Sequence, residues 1–151
     1  MQITKGISKR QISQLIKYSQ TDPQILKFTG DKRRFSSLAK FDKWSKNRVI
    51  YTLTDKSKNL LGIVWFGNKN GITFAIRTYP PARGKGYSVK FLTNTLKSFL
   101  KSEDYKKMGG GRIWLETHID NLPAINLYQR TGWKEKSEKS GKKIFVYNLT
   151  D

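Results

Sequence analysis

The sequence contains no cysteine and a single histidine, His118. The first absence excludes disulfides, thiolate metal centres and a cysteine nucleophile, and the second leaves too few ligands for a zinc site, so no metal is expected. Long apolar runs are also missing. The longest, Leu60 to Phe66, falls far short of the roughly 20 residues that span a bilayer. The opening MQITKGISKRQ lacks the hydrophobic core of a signal peptide. No membrane association is expected, and the expected location is cytoplasmic. Acidic residues are scarce, 11 against 30 basic ones, for a formal net charge of +19.

What is present describes a soluble, folded chain. With 151 residues, 36% of them hydrophobic and 27% charged, residues 1–151 are expected to form one domain with a substantial core. The positive field favours anionic partners: nucleic acid, the ribosome, or the phosphates of a cofactor. The basic residues are 22 Lys and 8 Arg scattered along the chain. That lysine bias also fits an AT-rich coding sequence, so a nucleic-acid-binding face and a purely compositional origin both stay open.

The stretch from Thr78 to Ser88, TYPPARGKGYS, organises the rest. Before it, Ile72, Phe74 and Ile76 alternate with smaller or polar residues as in a half-buried strand. After it, Val89, Leu92, Leu96, Phe99 and Leu100 recur at helical spacing. Pro80 and Pro81 stop the strand, and Arg83-Gly84-Lys85-Gly86 turn into the helix. Glycines let backbone N–H groups approach a ligand, and a helix start suits a phosphate. An ordinary tight connection is the alternative. The third glycine and downstream acidic residue of a dinucleotide fingerprint are missing, as is the Gly-Lys-Ser/Thr ending of a P-loop.

Around this centre the pattern predicts a strand at 2–5 and a helix over about 8–19 opened by a Ser8/Gln11 capping box. Thr21-Asp22-Pro23 breaks that helix. Leu38, Phe41 and Trp44 predict a second one ending near Lys46-Asn47. Strands follow at 48–54 and 60–67, with a hairpin at Asn68–Gly71 into the Ile72 strand. Beyond the glycine loop at 109–111, a strand covers 112–118. A helix opened by Asn121 and Pro123 stops at Gly132, and two last strands lie at Trp133-Lys134 and 143–149 with a turn at 137–141. The order is β-α-α-β-β-β-α-β-α-β-β, a mixed α/β sheet.

Two motifs now carry a resemblance. Pro80 followed by R-G-K-G-Y-S from Arg83 to Ser88 resembles the central motif of the GNAT superfamily of acyl-CoA-dependent N-acyltransferases, with Ser88 in place of the usual Gly or Ala. Asn121, Ala124, Tyr128, Gly132 and Trp133 are similar to its second motif. The resemblance covers about residues 60–135 and implies a GNAT-like, largely antiparallel sheet with flanking helices. It implies acetyl-CoA as co-substrate, its pyrophosphate held by backbone N–H groups of Arg83, Gly84, Lys85, Gly86, Tyr87 and Ser88. Thr78 at the strand end, and Asn121, would meet the pantetheine arm. Tyr128 stands where the family places the acid that protonates the departing thiolate. Glu116, in Leu115-Glu116-Thr117, stands where the base of ribosomal-protein alanine N-acetyltransferases lies.

The chemistry asks for such groups on its own account. An amine attacks a thioester only when unprotonated, which calls for a nearby base; the departing thiolate calls for a donor such as a phenol. Glu116, His118 and water remain rivals for the base. Tyr128 could instead be a core aromatic, Glu116 a solvated strand residue and Asn121 only a helix cap. The expected activity is N-acetylation of a primary amine, either a protein α-amine or a small molecule. The alternative is a basic RNA- or ribosome-binding module that keeps the fold without catalysis.

Overall fold

The computed structural model describes residues 1–149. The chain begins with β1 (Gln2–Lys5) and α1 (Lys9–Thr21), then α2 (Pro23–Phe28), α3 (Asp31–Arg34) and α4 (Leu38–Ser45). Strands β2 (Val49–Thr54), β3 (Leu60–Asn68) and β4 (Ile72–Thr78) follow, then a single 3-10 turn at Pro80–Ala82. The second half is α5 (Tyr87–Leu100), α6 (Glu103–Lys107), β5 (Ile113–His118), α7 (Leu122–Arg130), β6 (Trp133–Lys139) and β7 (Lys142–Tyr147).

Local chemistry accounts for most boundaries. The Ser8 hydroxyl accepts from the Gln11 amide at 3.2 Å while the Gln11 side chain accepts from the Ser8 amide at 2.9 Å, satisfying two donors at the start of α1. Asp22 ends α1 and caps α2, with Pro23 at its first position. Asn70 and Gly71, at φ 53° and 105°, close the β3–β4 hairpin in the left-handed geometry such turns require.

Among the described residues the strands form one sheet in the order β1-β2-β3-β4-β5-β7-β6. Every neighbouring pair is antiparallel except β4 and β5, which run parallel. Successive residues of β3 point to opposite faces. Val64 and Phe66 enter a core beneath α5 and α7, where Phe66 stacks on Phe99 with centroids 3.7 Å apart. Ile63 and Trp65 enter a second core beneath α1–α4, with Ile12, Leu15, Phe35 and Phe41. Burial on both faces is why LLGIVWF reads as an unbroken apolar run.

The structure adds α2, α3 and α6 to the expected order. These helices of six, four and five residues are too short to show a helical period. It also moves the last turn. β6 continues through Lys139, and Ser140 and Gly141 make the reversal at φ 54° and 77°; β7 ends at Tyr147 rather than residue 149. Beyond Trp133 the side chains of β6 are all exposed, so no alternation marks the strand.

Candidate active site

The parallel β4–β5 pairing extends over only Ile72↔Ile113 and Thr73↔Trp114. On its other edge β5 pairs with β7 in register from Trp114↔Val146 through His118↔Lys142. From Phe74 to Thr78, β4 therefore has β3 on one side and no strand on the other. The two strands splay into a wedge, and a cleft of about 690 Å³ fills it. A strand edge inside a fold exposes N–H and C=O groups to whatever enters, and an extended chain can add itself there.

Register assigns the faces of the wedge. Phe74, Ile76, Ile113 and Leu115 belong to the core beneath α5 and α7. The intervening residues, Thr73, Ala75 and Arg77 on β4 with Trp114, Glu116 and His118 on β5, point to the other face, toward α1–α4.

At the open end of the wedge lies the glycine turn. Gly84 and Gly86 have φ 75° and 74°, and an added Cβ at either would meet nothing within 4 Å. Backbone here is both left-handed and uncovered, as close approach of a ligand requires. Gly86 caps α5 with no side-chain hydrogen bond, and no acidic residue occupies the helix's first turn. The first amides of a 14-residue helix thus lack a side-chain acceptor, which suits a phosphate.

Arg83 does not offer its charge freely. Its guanidinium grips the buried Asp22 carboxylate with both terminal nitrogens, one at 2.9 Å, and its Nε donates to the Thr78 carbonyl at 3.1 Å. The α1–α2 junction, the end of β4 and the glycine turn are thereby tied at one point. Of the predicted phosphate-holding residues, Arg83, Gly86 and Ser88 line the cleft, and so does Thr78. Lys85 is exposed, and Tyr87 packs against the core. Asn121 borders the cleft and also caps α7, its side-chain oxygen accepting from the Ala124 amide at 3.4 Å.

Tyr128 reaches the cleft from α7, buried to 5% exposure between Trp133 and Phe145. Burial pushes its phenol up to about 12, although the Arg77 guanidinium pulls the other way. Core packing and cleft position therefore coincide in this residue. Glu116 approaches from the opposite face. Its carboxylate is half exposed and accepts from the Lys142 ammonium at 3.2 Å. His118 also borders the cleft, where its Nδ1 accepts from the Asp120 amide at 3.1 Å and its ring meets Phe28 edge-on. Among the described residues no group of three or more His, Cys, Asp or Glu could hold a metal ion, and no helix is long and apolar enough to cross a membrane.

Two further features have no local signature in the sequence. Asp31, fully buried, accepts from Arg77 at 2.7 and 3.2 Å and from Arg34. Above them Trp44 and Trp65 meet edge-to-face with centroids 5.0 Å apart. The only local hint was Trp44 at helical spacing from Leu38 and Phe41.

A parallel pair of strands splayed beside a glycine turn and a helix start makes a cleft suited to an extended, phosphate-bearing ligand. The model of the acetyltransferase (GNAT) family matches residues 13–133, and the chain belongs to that family. No curated protein matches it significantly in sequence. Among solved structures it is similar to spermidine N-acetyltransferase from Vibrio cholerae, in complex with CoA and spermine: 16% identity, TM-score 0.74, covering 96% of this chain and 93% of that one. A domain from Methanocaldococcus jannaschii is 19% identical at TM-score 0.73, covering 98% and 99%. An N-acetyltransferase from Campylobacter jejuni is 13% identical at TM-score 0.66, with the same coverage. These likenesses bear out the mixed, largely antiparallel α/β fold.

Proposed function

We propose that residues 1–151 form one domain that transfers an acetyl group from acetyl-CoA to a primary amine by direct attack, with Glu116 as base and Tyr128 as acid. The observation that carries this reading is the wedge between β4 and β5. It runs from the glycine turn to a point that Tyr128 and Glu116 border from opposite faces. CoA in the Vibrio cholerae enzyme supports the choice of donor.

The uncovered glycines and the α5 amides would hold the pyrophosphate, and the free edge of β4 up to Thr78 would hydrogen-bond the pantetheine arm. Asn121 would contact the same arm. Glu116, directly or through water, takes a proton from the acceptor ammonium. The amine nitrogen then attacks the thioester carbonyl carbon and a C–N bond forms; as the intermediate collapses, the C–S bond breaks and the nitrogen gives up its second proton to solvent. A backbone N–H at the β4 edge would stabilise the developing oxyanion. Tyr128, whose buried phenol stays protonated throughout the physiological range, donates to the departing thiolate. A polyamine such as the Vibrio cholerae enzyme holds is disfavoured as acceptor, because seven basic residues and only one acidic one, Glu116, line the cleft.

The test is release of free thiol from acetyl-CoA across a set of amines. Tyr128→Phe keeps the ring and its contacts, so the protein should fold while turnover falls roughly 10²–10⁴-fold. Glu116→Gln should lose most at low pH and recover in part at high pH, where more of the amine is already free. Near-normal turnover in a well-folded Tyr128→Phe variant would remove Tyr128 from the mechanism. No thiol release with any amine would favour the RNA- or ribosome-binding alternative.

A further inference from the structure

The cleft has a second, strongly charged region on the α1–α4 face, near the closed end of the wedge. Arg34, Trp44, Arg48, Trp65, Thr73 and Arg77 line it. The Arg34 guanidinium lies 5.6 Å from the Trp65 ring centre and Arg77 lies 4.8 Å from the same ring, while Arg48 lies 5.1 Å from Trp44. Trp44 and Trp65 touch, so three guanidinium groups share one aromatic platform.

Their charge is not balanced locally. Arg77 and Arg34 share the single carboxylate of Asp31. Arg48 forms no ion pair among the described residues, and its hydrogen bond goes to the Trp44 carbonyl at 3.3 Å. Burial, and then the field of Arg34, push the Arg48 guanidinium below its ordinary value. Two like charges held over adjoining indoles are costly in isolation and relieved by an anion between them. Planar guanidinium groups match carboxylate and phosphate oxygens in geometry, and indole faces hold them flat with little conformational freedom to lose.

We propose that the acceptor is a small primary amine that also carries an anionic group, carboxylate or phosphate, and that this group docks on Arg34 and Arg48 above the Trp44–Trp65 pair. The assignment rests on the acetyltransferase reading and adds the class of acceptor. Glu116, on the same face of the sheet, would then stand toward the amine while the arginines hold the anion. Asp31 holds Arg77 and steadies Arg34 from beneath.

The experiment compares amino acids with their matched amides, O-phosphoethanolamine and spermidine, reading thiol release from acetyl-CoA as kcat/KM. The acids or O-phosphoethanolamine should exceed the amides by roughly tenfold or more, the worth of a charge-assisted hydrogen bond. Whichever of the two wins tells carboxylate from phosphate. In Arg48→Gln and Arg34→Gln the anionic-to-neutral ratio should fall toward one, chiefly through KM. Arg48→Lys, with charge but no planar fork, should lie between. Both arginines are exposed at the cleft surface, so the variants should fold, which circular dichroism checks. Preference for amides or spermidine, or a ratio unmoved in both Gln variants, would overturn the assignment. So would inactivity on the whole panel while acetyl-CoA still raises the melting temperature. If acetyl-CoA produces no such rise, the acetyltransferase reading itself fails.

Discussion

Asp31 shows how one residue ties a short helix to the floor of the cleft. Burial alone would raise its carboxyl, but Arg77 and Arg34 outweigh that cost and hold it below the usual carboxylate range. A carboxylate depressed in the folded state stabilises the fold above its unfolded value of about 4. That stabilisation is lost as pH falls through the lower folded value. The wild-type melting temperature should therefore drop below about pH 4 in part through this group. Asp31→Asn removes the partner of the nearly buried Arg77, leaving an uncompensated guanidinium, which costs about 3–5 kcal/mol at neutral pH. Its acid slope should be shallower than wild type in a series of thermal melts. Parallel curves for the two proteins would show that Asp31 does not titrate with unfolding.

At the scale of elements, the wedge depends on where β3 and β4 press together. An added Cβ at Gly62 would sit 2.8 Å from the Arg77 carbonyl oxygen and 3.1 Å from the Phe91 ring. The first contact is backbone, so β4 itself must shift, and the shift falls at its Thr78 end opposite Gly62. Gly62→Ala should cost roughly 1–3 kcal/mol and weaken acetyl-CoA binding together. Gly111→Ala, with nothing within 4 Å of its Cβ, should stay within about 0.5 kcal/mol of wild type in denaturant titrations. Equal stabilities would mean that β4 gives way at Gly62 without cost. Features of this local kind were legible in the sequence. The Ser8/Gln11 box, the Asn70-Gly71 hairpin, the glycine turn and the Asn121 cap each span a few residues with a fixed chemistry. The clamps were not legible. Asp22 meets Arg83 across 61 positions and Asp31 meets Arg77 across 46, and such pairs leave no local pattern. Nor did residues 23–34, whose helices are shorter than two turns, or β6, whose side chains beyond Trp133 face solvent.

Over the whole molecule the excess positive charge continues into the cleft, where Glu116 is the single acidic lining residue. Such a field raises the local concentration of any anion, whether the phosphates of a co-substrate or a polyanion at the surface. The proposed function turns first on one site: acetyl-CoA would bind at the glycine turn at the open end of the wedge. Thermal melts with and without acetyl-CoA test it without knowledge of the acceptor. At about 100 times Kd a ligand specific to the folded state adds about 2.7 kcal/mol, or roughly 5–10 °C for a chain of this length. Gly86→Asp places a side chain and a negative charge in the open cradle, so its melting temperature should move little on adding acetyl-CoA. No shift in the wild-type protein, or an undiminished shift in Gly86→Asp, would rule out acetyl-CoA binding at this turn.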